Sequence, residues 1–189
     1  MRRAAAVSLA LAACLALTAP AAPAETWRVE SERSSLTFSF VINGIETEGA
    51  FPEFEGRGRF DPTAPGDSEL TLEVAVEAVD LGNAVANHFA RSAGWFRAEE
   101  HPLGIFRLDR LEAEGDGLWA AFGTLRLRGV TREVATPLRL DVGETTARAR
   151  GEAVFDRTEF GIGQGPSAAL VEVSEQIRVQ FDLVAEAAR

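Results

Sequence analysis

The sequence predicts one antiparallel all-β domain carrying a single short helix, and three observations predict it. From Trp27 onward, apolar and polar residues alternate with period two in segment after segment, the pattern of strands with one buried face. Between those segments stand turn formers: Asn43-Gly44, Asp61-Pro62, Pro65-Gly66-Asp67, Gly115-Asp116-Gly117, Arg128-Gly129 and Gly143. No internal repeat, low-complexity tract or linker composition interrupts the series, so nothing divides the chain into further domains.

The elements follow in order. A strand is expected at residues 27–31 and another at 36–40, where Leu36-Thr37-Phe38-Ser39-Phe40 alternates without a break. A third lies near 49–60, with Gly49, Gly56 and Gly58 inside or beside it predicting bulges or bends. Leu70, Leu72, Val74 and Val76 then share one face of a strand whose other face carries Glu73 and Glu77. Further strands are predicted at 105–111, 118–127, 134–142, 146–155 and 176–185, about eight or nine in all. Residues 83–92 (NAVANHFARS) have helical composition, with Asn83 placed to cap the start. The glycine-rich stretch 161–166 (GIGQGP) is a loop before the last strand. Antiparallel strands in this number form a sandwich or close into a barrel, and periodicity alone does not separate the two.

Residues 1–24 read as a cleavable export signal. Arg2 and Arg3 supply the basic start, 4–17 are apolar apart from Ser8 and Cys14, and Ala22-Pro23-Ala24 offers the small residues a signal peptidase needs before Glu25. The apolar stretch falls short of the ~20 residues that a spanning helix requires, and no basic stop-transfer cluster follows it. The twin arginine lacks the continuation of a twin-arginine signal. Leu11-Ala12-Ala13-Cys14 resembles a lipobox, so the alternative is a lipoprotein anchored through Cys14; against this, the apolar run continues through Leu15-Ala16-Leu17. The expected location is a bacterial periplasm.

Composition narrows the function. Cys14 is the only cysteine, so a chain beginning at Glu25 holds no disulfide and burial must supply its stability. The formal net charge is −10, every basic residue is Arg, and loss of Arg2 and Arg3 makes the remainder more acidic still. Such a surface repels phosphates and anionic headgroups, which argues against nucleic acid and against adsorption to membranes. With His88 and His101 the only histidines, a closed Cys/His zinc site is not available. Neither a Gly-x-Ser-x-Gly elbow nor a His-Glu-x-x-His pair occurs, and the acids alternate with apolar residues as on a solvated sheet face. The glycines of 161–166 do not sit between a strand and a helix, so they do not read as a phosphate cradle. No enzyme, metal or cofactor is expected.

Several blocks then stand in a telling order and spacing. They are Trp27-Arg28-Val29 leading into Ser34-Ser35-Leu36-Thr37-Phe38, and Gly49-Ala50-Phe51-Pro52-Glu53-Phe54-Glu55-Gly56. Val76-Glu77-Ala78-Val79-Asp80-Leu81-Gly82-Asn83 follows, with His88-Phe89-Ala90-Arg91-Ser92, Trp95-Phe96 and His101-Pro102. The last two are Gly123-Thr124-Leu125-Arg126-Leu127-Arg128-Gly129-Val130-Thr131 and Asp156-Arg157-Thr158-Glu159-Phe160-Gly161-Ile162-Gly163. Together they resemble the YceI family of bacterial periplasmic lipid-binding proteins over essentially everything after the signal. The resemblance implies an eight-stranded antiparallel lipocalin-like barrel with an elongated apolar interior. It implies a polyisoprenoid, isoprenoid quinone or fatty-acid-derived amide as ligand, and a homodimer. Gly161-Ile162-Gly163-Gln164-Gly165 resembles a subset associated with cytochrome b561-type membrane proteins, which implies a membrane redox partner. The chain departs from the family at Val85-Ala86, where Arg-Asp is frequent, and at Arg126 and Arg128, which replace Thr and His.

The candidate site follows from the large apolar residues. Phe38, Phe40, Phe89, Trp95, Phe96, Phe106, Trp119, Phe122, Phe155 and Phe160, with Leu72, Val74 and Val76, are spread over nearly all elements and are the expected walls of an apolar cavity. His88 and Arg91, three positions apart on the helix, are the polar candidates for a headgroup at the mouth; the alternative is a hydrogen-bonded cap that holds the helix in place. His101, before Pro102, reads as local structure. Three functions are open on these residues: a carrier of a long apolar molecule, an interaction module with a self-filled barrel docking on a membrane redox partner, and a lipid-directed enzyme. The last requires a polar cluster with shifted ionisation at the cavity floor.

Overall fold

A computed structural model of the chain describes residues 25–61, 64–165 and 171–188. The export-signal reading, with Cys14, falls outside them. The strands are β1 (Glu25–Val29), β2 (Ser35–Ile42), β3 (Ile45–Ala50), β4 (Phe54–Phe60), β5 (Glu69–Ala75), β6 (Leu103–Gly115), β7 (Leu118–Leu127), β8 (Val130–Val142), β9 (Thr146–Asp156) and β10 (Gln176–Ala187), and α1 (Ala84–Arg91) lies between β5 and β6. The order β1-β4-β5-β6-β7-β8-β9-β10 closes on itself through the pairs Trp27↔Ala187, Arg28↔Glu186 and Val29↔Ala185. The sheet is thus an eight-stranded antiparallel barrel, not a sandwich.

The other two strands lengthen two of the eight staves. β10 pairs with β1 at 185–187 and with β2 at 178–182, along the same edge. β1 and β2 are therefore one stave broken by a 3-10 turn at Ser31–Arg33. Ser34 mends the break: its hydroxyl donates to the Glu30 carbonyl at 2.7 Å and accepts from the Val184 amide at 2.9 Å. β3 and β4 form the second broken stave, expected from sequence as one strand. The interruption falls at Pro52, which has no amide proton to give a ladder. On either side of it, the Phe51 amide donates to the Leu36 carbonyl and the Ala75 amide to the Glu53 carbonyl, both at 2.9 Å.

Turn chemistry sets the hairpins. Asn43 and Gly44 (φ 50° and 79°) and Arg128 and Gly129 (φ 49° and 79°) are consecutive left-handed pairs, as a two-residue hairpin matching strand twist requires. Arg128 is an unusual residue there, and its guanidinium donates to the Ala93 carbonyl at 3.1 Å, tying this hairpin to the segment after α1. Gly49, Gly56 and Gly58 do not mark bulges; they occupy regular ladder positions. A methyl at Gly56 would run into Val29 and one at Gly49 into the Phe38 ring, so these glycines make room for core side chains. The bulges fall in β6 against β7 instead, between Leu108 and Arg110 and between Ala113 and Gly115.

The packed core lies to one side of the barrel. Val29, Leu36, Phe54, Leu72 and Leu183 cluster between β1, β2, β4, β5 and β10. A second cluster of Phe38, Val79 and Ala90 carries α1.

Candidate functional site

The rest of the interior is a cavity of about 750 Å3, within the size range of small-molecule sites. It exists because the barrel is filled unevenly. β9 turns Ala147, Ala149 and Ala153 inward, and β7 adds Ala121. Side chains this small cannot reach the opposite wall, where Leu72, Val74 and Phe106 stand. An interior packed to ordinary density leaves no such gap; here the β9 alanines leave the space before those residues unfilled, and Phe155 is the large inward residue of that strand.

Eleven of the thirteen large residues singled out from sequence line the cavity: Phe38, Phe40, Leu72, Val74, Val76, Phe89, Trp95, Phe96, Phe106, Phe155 and Phe160. Near the helix they form a linked set of rings. Phe38 lies 6.0 Å from Phe40 and 4.9 Å from Phe51, and Phe51 is edge-on to Phe96 at 5.8 Å. Trp119 and Phe122 are not part of the lining. They are three apart on one strand and so face opposite ways. Phe122 points out of the barrel, where the Arg110 guanidinium sits 3.9 Å over its ring. Trp119 is on the inward face without lining the cavity, and its ring is edge-on at 6.3 Å to Phe60, which does line it.

α1 covers one end of the cavity. The Asn83 side chain caps it by accepting from the Ala86 amide at 2.8 Å. The Asn87 side chain accepts from the Leu81 amide at 2.7 Å and donates to Asp80 at 3.2 Å, which anchors the helix to its own approach. The Gly82 amide at 2.9 Å, and after it the Asn87 side chain, hold the Asp80 carboxyl below the usual carboxylate range. Val85, Ala86, Phe89 and Ala90 are the helix residues on the cavity, and Val85 is 80% exposed while lining it. The cavity therefore meets solvent beside Val85, where the resembling family has Arg. His88 and Arg91 are both exposed and neither lines the cavity. They also do not cap the helix, a role taken by Asn83 and, at the far end, by Ser92, whose hydroxyl donates to the Phe89 carbonyl at 2.7 Å. The reason is helical geometry: Phe89 and Ala90 occupy the inward stripe, which turns 88 and 91 outward.

The polar residue at this end is one that sequence reasoning passed over. Arg157 lines the cavity and spends its guanidinium on main-chain carbonyls: Ser174 at 2.9 Å, Ile162 at 2.7 Å, Gly163 at 3.2 Å and Val173 at 2.7 Å. Asp156 sets up this turn by accepting from the Thr158 hydroxyl at 2.6 Å and amide at 2.8 Å, bonds that hold its carboxyl below the ordinary range. Arg157 thus straps the 161–163 turn to the strand-entry segment 173–174. His101 packs against Gly129, a local contact as expected. Ile177, Val179 and Phe181 of β10 also line the cavity, and their strict alternation was a legible signal left unused. Trp27 and Ser68, at the end opposite the helix, carried no such signal.

Comparison with known proteins places this geometry. A family model described as the YceI-like domain matches residues 27–185. A UPF0312 protein of Pseudomonas aeruginosa is 27% identical over 177 residues, covering 88% of this chain and 92% of its own. Another from Azotobacter vinelandii is 27% identical over 183 residues, covering 92% and 94%. Among solved structures, Burkholderia cenocepacia BcnA superposes with a TM-score of 0.76 at 23% identity, covering 82% of this chain and 98% of that one. A polyisoprenoid binding domain from Saccharophagus degradans superposes at 0.70 and 18% identity, covering 86% and 98%. At these identities the two structures speak for the fold.

Proposed function

Since the chain belongs to the YceI-like domain family, we propose that it is a periplasmic binding and carrier protein, not an enzyme, for a long apolar molecule of the isoprenoid class. The observation that carries this reading is the apolar cavity of about 750 Å3 inside the barrel, which a barrel plugged by its own side chains would not possess. Removing about 300 Å2 of apolar ligand surface from water contributes roughly 7 kcal/mol before the costs of association, so the site needs no charged anchor. The description of the Saccharophagus degradans relative as polyisoprenoid binding supports the ligand class. The arginine start, apolar stretch and Ala22-Pro23-Ala24 support export. An isoprenoid chain crossing the aqueous gap between two membranes requires a shield of this kind.

The test is to express the full chain in a Gram-negative host, collect the periplasmic fraction, and analyse the protein by native mass spectrometry and solvent extraction. A processed protein carrying one isoprenoid-sized adduct is expected. Recovery of the barrel without an adduct from that fraction overturns the carrier reading, and recovery from the cytoplasm overturns the location.

A further inference from the structure

The end of the cavity remote from α1 contains two hydrogen-bond donors that no described residue receives. Trp27 and Ser68 line the cavity there and are 7% and 2% exposed. Trp27 Nε1 and Ser68 Oγ are buried, and neither has a hydrogen-bond partner among the described residues. A buried polar group left unpaired costs free energy comparable to a lost hydrogen bond, and native interiors satisfy nearly all of them. Two in one place, in an otherwise apolar pocket, call for an explanation.

The fold brings them together. Trp27 pairs with Gly58 on β4, and Gly58 pairs with Leu70 on β5, two residues after Ser68. Phe60, edge-on to Trp119, also lines this end. Arg59 and Glu69 border the cavity at this end and bond to each other at 3.1 Å, with side chains 52% and 67% exposed. Among the described residues, the arginine lining this end, Arg59, is already paired with Glu69, and a buried unpaired anion is prohibitively costly. An indole N–H only donates, so its partner must bring an acceptor atom.

We infer that Trp27 and Ser68 form a subsite for the uncharged carbonyl oxygen of the ligand's head, so that the molecule lies head-inward, with its chain running towards α1. This rests on the carrier reading and sharpens it: it places the ligand's oxygen-bearing head at this end, on two donors that a plain hydrocarbon would leave unpaired. Trp95 Nε1, at the helix end, is also buried without a partner among the described residues, but it is a single donor on a half-buried residue, and it marks the opposite orientation.

The experiment compares two probes on the delipidated full-length mature protein by isothermal titration calorimetry: a benzoquinone bearing a ten-carbon chain, and decylbenzene, which has the same chain and no oxygen. The wild type is expected to prefer the quinone. Trp27→Phe and Ser68→Ala are each expected to weaken the quinone roughly threefold to tenfold while leaving decylbenzene unchanged. If Trp27→Phe does not fold, Ser68→Ala decides alone. Equal binding of both probes, or a quinone affinity that survives the loss of both donors, means that the donors serve only water, and the subsite is refuted while the carrier stands. Loss of quinone preference in Trp95→Phe alone reverses the orientation and likewise refutes it. Failure of the wild type to bind either probe removes the subsite and the carrier reading together.

Discussion

Gly151 pairs with Phe181 across β9 and β10, and a methyl there would come within 2.6 Å of both the Phe181 ring and the Pro137 carbonyl oxygen. The carbonyl cannot retreat without breaking the β8–β9 ladder, so Gly151→Ala is expected to cost about 1–3 kcal/mol, read as a lower urea midpoint at constant slope. On the outer face, Arg148 grips Asp182 with two bonds of 2.7 and 2.5 Å. Those bonds, before any longer-range attraction, hold the Asp182 carboxyl below its ordinary 3.8. A lowered folded-state value means that this stabilisation is complete above 3.8 and is lost as pH falls through the folded value. The stability difference between wild type and Asp182→Asn should therefore be constant at neutral pH and shrink below 3.8, in urea titrations run across that range. Neither Gly151 nor Asp182 announces its role in the sequence, because each depends on a partner about 30 residues away.

At the scale of elements, the inward alanines of β9 decide whether the barrel is hollow. Ala153→Leu or Ala149→Phe puts a large side chain where the cavity now lies, and since there is room the fold should persist. Such variants are expected to be recovered with less than a tenth of the wild-type adduct by native mass spectrometry, with an unchanged or higher melting temperature. Arg157 is the counterpart for the loop next to the helix. Replacing it with Met leaves four carbonyls without their donor, at an expected cost of about 3 kcal/mol. Arg157→Lys should not rescue it, because an ammonium lacks the planar fork that reaches several carbonyls at once. Equilibrium unfolding followed through Trp95, whose ring lies 5.7 Å from the Arg157 guanidinium, reports the change.

For the whole molecule, the cavity is a stability deficit that a ligand offsets. A barrel with unpacked interior surface forfeits contacts, and anything bound only by the folded state returns free energy by mass action. Delipidated protein should therefore melt below protein as isolated, and re-addition of a bound lipid at a hundredfold excess over its dissociation constant should restore about 2.7 kcal/mol. A calorimetric scan before and after extraction checks this. Under the proposed carrier role the acidic surface works in the same direction, since its repulsion of anionic headgroups would favour release from membranes.

What the sequence determined by itself was local. Alternation identified nearly every strand and its inward face, Asn83 marked the helix start, and Asn43-Gly44 marked a hairpin, because each depends on a few neighbouring residues. The family blocks supplied the barrel that alternation could not distinguish from a sandwich. Tertiary structure decided the rest: closure through β1 and β10, the break at Pro52, and the hollow left by the β9 alanines. It also decided which residues border that hollow. His88 and Arg91 turned out to face solvent and Phe122 the exterior, while Trp27, Ser68 and Arg157 line the cavity. Parity along a strand is written in the sequence; which side chain lies opposite, and whether the two fill the space between them, is set only when distant strands meet.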